Sequence, residues 1–258
     1  MFRTCQDDLD RPADLADPRD PTALYTRSYL IIRAVVGVIG ILLPIVFILG
    51  ETFFLRAGVR VRGSISAYYH TSMRDLFVGG LTVIGFMLLT YMAGRKRRPD
   101  WWLSSVAGVA VLGVAYFPTN RPQLTDGAAR CGVTPEPAGC SPIQQALGET
   151  LVATIHFVCA AIFISCLAGI SFYFACRAGG KGSARVAQIH RTCGYAILAA
   201  LAWIALGGVL KVYIGPLTPL YVGEIVSVWA FSVSWLIAAR DLLPVMMPKL
   251  AQARTSGH

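Results

Sequence analysis

Charged side chains are scarce in this sequence of 258 residues, where Asp, Glu, Lys and Arg together make up only 14%. Hydrophobic residues make up 55%, and the mean hydropathy is +0.58. A soluble domain needs a largely polar surface, so this composition argues against a soluble fold and is typical of a protein with several membrane spans. The first 26 residues also lack an apolar core, and we therefore expect no cleavable signal peptide.

Cysteine pairs at the Cys-x-x-Cys spacing are absent among the seven cysteines, so a cysteine zinc site has no support. Cys131 and Cys140 both fall in the Pro- and Gly-rich loop Pro118–Pro142. If this loop lies in an oxidising compartment, a disulfide between them would close a small loop. Two free thiols are the alternative.

The net charge of +9 would suit a nucleic-acid-binding protein, but the basic residues lie mostly in short segments between apolar runs. There they determine membrane topology, and we expect no nucleic-acid partner. With both termini inside, sixteen Lys and Arg lie on the inner side and seven on the outer side. This asymmetry predicts that both termini are cytoplasmic. The membrane itself is expected to be a bacterial inner (plasma) membrane.

Six apolar runs are long enough to cross a hydrocarbon core, which takes about 20 helical residues. Backbone groups in lipid must bond within their own segment, so each run is predicted to be a helix and the fold to be an all-α, six-helix transmembrane bundle. Residues 1–28 are predicted to be a disordered cytoplasmic tail, 29–241 the membrane domain and 242–258 a second cytoplasmic tail. Pro44 is expected to kink the first helix. The predicted spans are Tyr29–Leu49, Leu76–Ala93, Trp101–Phe117, Leu147–Cys176, Thr192–Ile214 and Leu217–Ala239.

A dense polar stretch, Gly63–Asp75, leads into the second predicted span. Its last part, Ser72-Met-Arg-Asp75, matches a capping box, in which the Ser72 hydroxyl bonds the Asp75 amide and Asp75 reaches back. A functional alternative makes Asp75, His70 and Arg74 a site for a lipid headgroup or a metal, with Arg74 binding a phosphate oxygen. Capping does not require Ser64–His70.

Two ionisable residues are predicted to lie within spans on other helices, His156 in the fourth and Glu224 in the sixth. Such residues face the bundle interior by default, and buried charges need partners. His156 can be a neutral imidazole bonded to a neighbouring helix, and Glu224 can pair with Lys211. Otherwise both join the polar stretch in a pocket near the outer leaflet. We predict His190 to be an interfacial residue of the basic inner loop Arg177–Arg191. The candidate pocket comprises Ser64, Ser66, His70, Arg74, Asp75, His156 and Glu224.

Three segments resemble motifs of a known family. Ser64-Ile-Ser-Ala67, followed by Leu-Phe-Val-Gly-Gly80, resembles the entry to the second helix of the DRAM/FRAG/SFK-type six-span membrane proteins. Ile155–Phe163 and Gly223–Trp235, the latter followed by Arg240-Asp241, look like that family's fourth and sixth helices. Ala67–His70 departs from the small and acidic residues usual in the family at this place. The family includes autophagy modulators and proteins of GPI-anchor lipid remodelling, so the resemblance implies lipid-related work in a membrane.

Four functions follow from these observations. The first is a protein whose outer-leaflet pocket binds, moves or remodels a lipid or a lipid-anchored substrate, with membrane lipids as partners. The second is a zinc-dependent hydrolase resembling alkaline ceramidases, with His70, Asp75, His156 and Glu224 as ligands; it lacks the late His-x-x-x-His pair of that superfamily. The others are a non-catalytic scaffold or regulator and a b-type haem electron carrier, which needs two facing histidines. We predict no cofactor for the first function.

Overall fold

The computed structural model of this protein describes residues 21–55, 61–91, 99–121, 129–210 and 217–240. Within these ranges the chain is all-helical, which confirms the all-α part of the predicted fold class. A short 3₁₀ helix, Ser66–His70, lies in the connector between α1 and α2. The α-helices are α1 (Pro21–Leu55), α2 (Arg74–Thr90), α3 (Pro99–Tyr116), the short α4 (Pro142–Leu147), α5 (Glu149–Gly180), α6 (Ala184–Leu210) and α7 (Pro219–Arg240).

Each of the six apolar runs predicts one of the long helices, α1, α2, α3, α5, α6 and α7. The predicted and observed helix bounds differ most at the start of α1 and between α5 and α6. Helix α1 begins at Pro21, inside the stretch predicted as a tail; residues 1–20 and 241–258 lie outside the described part of the chain. Helix α5 runs to Gly180 and α6 begins at Ala184, so only three residues separate them.

Four helices are long and apolar enough to cross a membrane: Leu30–Phe53 within α1, and the whole of α5, α6 and α7. Of these, α5 is the longest, with 32 residues. Their outward faces carry exposed apolar side chains such as Leu42, Phe157 and Leu206. In water such a surface would be unfavourable, whereas lipid tails solvate it well. The chain therefore has the surface of an integral membrane protein.

The six long helices form a ring in the order α1, α2, α3, α5, α6, α7, with α7 packed against α1. Neighbours run antiparallel: Gly85 of α2 lies against Leu112 of α3, while Gly108 lies against Leu89. Contact is extensive around the ring except between α1 and α2, where it is slight. The ring thus has one seam, between α1 and α2, where the backbones lie further apart and large side chains such as Phe47 and Phe77 fill the space. Small residues allow the close approaches elsewhere.

His190 is buried within α6, and the prediction of an interfacial loop residue was wrong. Its side chain is 1% exposed, its Nδ1 lies 2.8 Å from the Ser234 hydroxyl, and its ring packs edge-on against Phe174. The prediction failed because the basic stretch Arg177–Arg191 is mostly helical. Basic residues on the outward sides of two helix ends were mistaken for a loop.

Gly108 tests the close crossing of α2 and α3. A Cβ atom on Gly108 would lie 2.9 Å from the Gly85 carbonyl oxygen, which is backbone and cannot rotate away. We expect Gly108→Ala to destabilise the protein by about 1–3 kcal/mol, as overpacking does. The measurement is the apparent Tm in detergent.

Gly79→Ala is the matched control, because Gly79 also lies in a helix but has nothing within 4 Å of an added Cβ. Helix propensity favours Ala, so its Tm should stay level or rise slightly. Equal Tm values for the two variants would contradict the close approach of α2 and α3 at Gly108.

Candidate functional site

The connector between α1 and α2 is tied to α1 and to the start of α7. Arg62 Nε donates to the two carboxylate oxygens of Glu51, at 2.9 and 3.0 Å, and its Nη2 also contacts Oε1. These bonds raise the pKa of the Arg62 guanidinium. The Thr218 hydroxyl donates to the Gly63 carbonyl, which fastens the connector to the start of α7. The connector therefore lies across one end of the bundle.

Glu224 of α7 accepts hydrogen bonds from the connector. Its Oε2 accepts from the Ile65 backbone N–H at 2.6 Å, and its Oε1 accepts from the hydroxyls of Ser64, at 3.2 Å, and Ser66, at 3.4 Å. The Ser66 N–H donates in turn to the Ser64 hydroxyl at 2.9 Å. Both serines are buried. The structure thus brings together Ser64, Ser66 and Glu224. Because the two serines are two residues apart, both hydroxyls can reach the same carboxylate oxygen.

A cavity of about 90 Å³ lies in the bundle beside this cluster. Its wall is apolar side chains from α1, α2, α3, α5 and α7, such as Leu81, Ile164 and Phe231, with Ser66 and Glu224 among its few polar groups. Pro44 also lines it, and because proline has no N–H it cannot donate the helical bond to the carbonyl of Gly40. The cavity borders both sides of the α1–α2 seam.

His70 and His156 meet the end of α3 instead of Glu224. His156 Nδ1 donates to the Phe117 carbonyl at 2.6 Å, and His70 Nε2 donates to the Thr119 carbonyl at 2.8 Å. Gln144 Nε2 donates to the same Thr119 carbonyl at 2.9 Å. Phe117 and Thr119 follow the last residue of α3, so their carbonyls have no place in its ladder of hydrogen bonds and need other donors. This bonding favours a structural role for both histidines.

Arg74 and Asp75 lie away from the cavity. The Arg74 guanidinium stacks over the Tyr69 ring, 4.6 Å from its centroid, and donates to the Tyr69 hydroxyl at 2.8 Å. Asp75 is exposed on the first turn of α2. Neither side chain lines the cavity, so the structure does not join them to Glu224.

The capping box predicted for Ser72 and Asp75 was wrong. Helix α2 has Met73 as its N-cap, and no side chain caps it. The Thr71 hydroxyl instead accepts from the Met73 N–H at 3.1 Å and donates to the Tyr68 carbonyl at 2.8 Å. Met73 is buried in the core, and this burial fixes where the helix begins. A capping box does form elsewhere, between Ser141 and Gln144 of α4.

The predicted disulfide between Cys131 and Cys140 is confirmed, with Cα atoms 5.8 Å apart. Its loop is anchored by Glu149, whose carboxylate accepts from the Arg121 backbone N–H at 2.7 Å, the Arg121 guanidinium at 3.3 Å and the Cys131 N–H at 3.3 Å. Sequence reasoning missed both this ion pair and Glu51–Arg62. The rule that buried charges need partners would have flagged Glu51 and Glu149, since each sits at the end of an apolar run.

The four candidate zinc ligands are not gathered at one point. Glu224 bonds the connector, the two histidines bond carbonyls after α3, and Asp75 is exposed. Across the ranges that the structure describes, no three His, Cys, Asp or Glu side chains are placed to hold one metal ion. The positions of these described residues therefore do not support a metal-dependent reaction step. Lys211, the other partner predicted for Glu224, lies outside the described residues.

No protein-family model, curated protein or solved structure matches this chain.

His70 gives a pH test of its structural role. Burial lowers the pKa of the His70 imidazole below its ordinary value of 6.5, although the bond to Thr119 partly opposes this. The folded state thus favours the neutral ring, while the unfolded chain takes up a proton as the pH falls through about 6.5. Stability should therefore decrease on acidification.

We expect the apparent Tm of the wild-type protein to fall more than that of His70→Gln between about pH 7.5 and about pH 5.5. Glutamine keeps an N–H donor for Thr119 but does not titrate, so other histidines contribute equally to both proteins. Parallel pH profiles would show that His70 is not held neutral.

Proposed function

We propose that this chain is an integral membrane protein of six spans that binds a lipid, with the end of an acyl chain in the central cavity and the polar group at Glu224. The observation that carries the proposal is an apolar cavity that ends on a half-buried, hydrogen-bonded carboxylate. Ligand sites in proteins combine a mostly apolar wall with a few placed polar groups in this way.

The two further spans in this proposal are α2 and α3. They have 17 and 18 residues, or about 26 Å at the standard helical rise, close to the thickness of a hydrocarbon core. Both pack into the ring between α1 and α5, and both expose apolar side chains such as Phe86 and Val109. Such side chains suit lipid contact. The excess of Lys and Arg on one side supports cytoplasmic termini.

The resemblance to the DRAM/FRAG/SFK-type proteins adds to this proposal. Its first motif contains Ser64 and Ser66, and its third contains Glu224. These are the residues that meet at the end of the cavity. Membership of that family, and lipid-related work with it, are proposals that rest on these short motifs.

Glu224 favours a lipid whose polar part donates hydrogen bonds. An ionised carboxylate only accepts, and it offers about four lone-pair sites. Donors from Ser64, Ile65 and Ser66 reach three of them in the described structure. A hydroxyl, amide or amine of a lipid can bond at the remaining one. A phosphate beside this carboxylate would be repelled, and Arg74, which would offset the charge, is engaged with Tyr69.

The α1–α2 seam gives the proposed lipid a route from the bilayer. The backbones of α1 and α2 approach each other at few places, yet both helices line the cavity. In this proposal an acyl chain enters from the bilayer when side chains packed across the seam, such as Phe47 and Phe77, move apart. The zinc hydrolase, scaffold and haem carrier stay predictions, and no contact described above favours one of them.

A matched pair of substitutions tests the cavity. Ala160 lines it, whereas its neighbour Ala161 faces outward from α5. We expect Ala160→Phe to fill the cavity and to reduce lipid retained by the purified protein several-fold. Ala161→Phe should retain lipid like the wild-type protein. Native mass spectrometry of protein extracted in mild detergent measures the retained lipid.

Both variants must first give a monodisperse protein of similar Tm, so that lost retention is not lost folding. The proposal fails if Ala160→Phe and Ala161→Phe retain the same lipids in the same amounts as wild type.

A second prediction concerns the polar group. We expect Glu224→Gln to reduce retention of lipids with hydroxyl, amide or amine donors about tenfold, since a hydrogen bond to a charged group contributes about 1.5–3 kcal/mol. Retention of lipids without such donors should change little. The readout is the ratio of the two lipid classes that co-purify.

Glu136→Gln is the control, since Glu136 is an exposed acid of the disulfide loop and the substitution changes the charge equally. An unchanged lipid ratio in Glu224→Gln would leave Glu224 a purely structural anchor for the connector.

A further inference from the structure

Tyr221 of α7 has a buried hydroxyl that makes no hydrogen bond. The side chain is 3% exposed, and its hydroxyl oxygen has no partner among the residues that the structure describes. Buried tyrosine hydroxyls ordinarily have a partner, because an O–H group is costly to remove from water without one. The aromatic ring holds this hydroxyl away from the backbone of its own helix, so a partner must come from elsewhere.

This hydroxyl lies beside the Glu224 carboxylate. Tyr221 comes one helical turn before Glu224, so the two side chains share a face of α7. The hydroxyl is close enough to interact electrostatically with the carboxylate, but it does not bond it. The donors that Glu224 does have, Ser64, Ile65 and Ser66, all belong to the connector. Tyr221 therefore adds an unused polar group to the Glu224 site.

Tyr221 stands at the polar end of this site. It lies in the first turn of α7, whose start is fastened to the connector by the bond between Thr218 and Gly63. Glu224 and Val228, further along the helix, line the cavity, whereas Tyr221 is not among its lining residues. A ligand whose chain ends in the cavity thus brings its polar group, and not its chain, toward Tyr221.

We propose that Tyr221 is a second polar contact of the bound lipid, and that the lipid's polar group is a hydroxyl or an amide with an N–H. This inference rests on the lipid binding proposed above and narrows its ligand class. Such a group donates to the Glu224 carboxylate, which only accepts, and accepts from the Tyr221 hydroxyl, which has a proton to donate. An ammonium group has no lone pair for that proton, and an ester has no proton for Glu224.

The test compares two probes that carry the same alkyl chain, oleyl alcohol and oleylamine. Each is titrated against the full-length protein in detergent, and the shift in Tm gives its apparent affinity. Tyr221→Phe removes the hydroxyl and keeps the ring. Tyr195→Phe is the matched control, because Tyr195 lies on α6 with its side chain 63% exposed and loses the same atom.

We expect Tyr221→Phe to weaken the binding of oleyl alcohol relative to oleylamine by about fivefold, as the loss of one hydrogen bond does. The attraction between the ammonium group and Glu224 is the same in both proteins, so it cancels in this ratio. Without a probe, Tyr221→Phe should keep the wild-type Tm, because its hydroxyl has no partner in the protein to lose. Tyr195→Phe should match the wild type in both measurements.

The inference is overturned if Tyr221→Phe leaves the ratio of the two affinities unchanged, which is the result expected when only a water molecule bonds Tyr221. A large drop in Tm of Tyr221→Phe without a probe also overturns it, since the hydroxyl then has a structural partner. Ala160→Phe separates this failure from that of the lipid site. If Ala160→Phe weakens both probes and Tyr221→Phe leaves their ratio unchanged, only the role of Tyr221 is lost. If neither probe binds the wild-type protein, both proposals fail.

Discussion

The half-buried carboxylate of Glu224 determines how one end of the bundle is built. A charge in a poorly solvated place is unfavourable unless donors reach it, and α7 cannot supply them from its own backbone. The connector does so with a backbone N–H and two hydroxyls. To reach Glu224 it must turn inward, and this explains the 3₁₀ helix and the burial of Tyr68, which stacks on Phe47 5.2 Å away. The bond between α7 and the connector also brings α2 back to the bundle beside the cavity.

The six long helices were predictable because long apolar runs have few structural alternatives in a membrane. The hydrogen-bond partners within the site were harder to predict. The link from Ser64 and Ser66 to Glu224 spans about 160 residues, and only the rule that such a charge needs partners pointed to it. Lys211 was the alternative that sequence distance favoured. Lys211 lies outside the described residues, so that pairing stays a prediction beside the bonds to Ser64 and Ser66.

The errors have a common physical cause. Local motifs were judged without the packing that competes with them. Ser72 has the right spacing for a cap, but burying Met73 fixes the helix start one residue later. His190 stands in a basic stretch, but helix periodicity turns it inward between Phe174 and Ser234. His156 was rightly expected to face the interior, yet the Phe117 carbonyl that it bonds belongs to a helix end that no motif marks.

The two polar ends of the bundle differ in charge, and their separation fits a bilayer. Arg33 and Glu51 are 18 residues apart on α1, or about 27 Å at the standard helical rise, which is close to the thickness of a hydrocarbon core. The end near Glu51 carries the acid Glu224, while Arg33, Arg177, Lys181 and His190 line a cavity at the other end. The helices between them are apolar, so the charged groups of the two ends are kept about one hydrocarbon thickness apart.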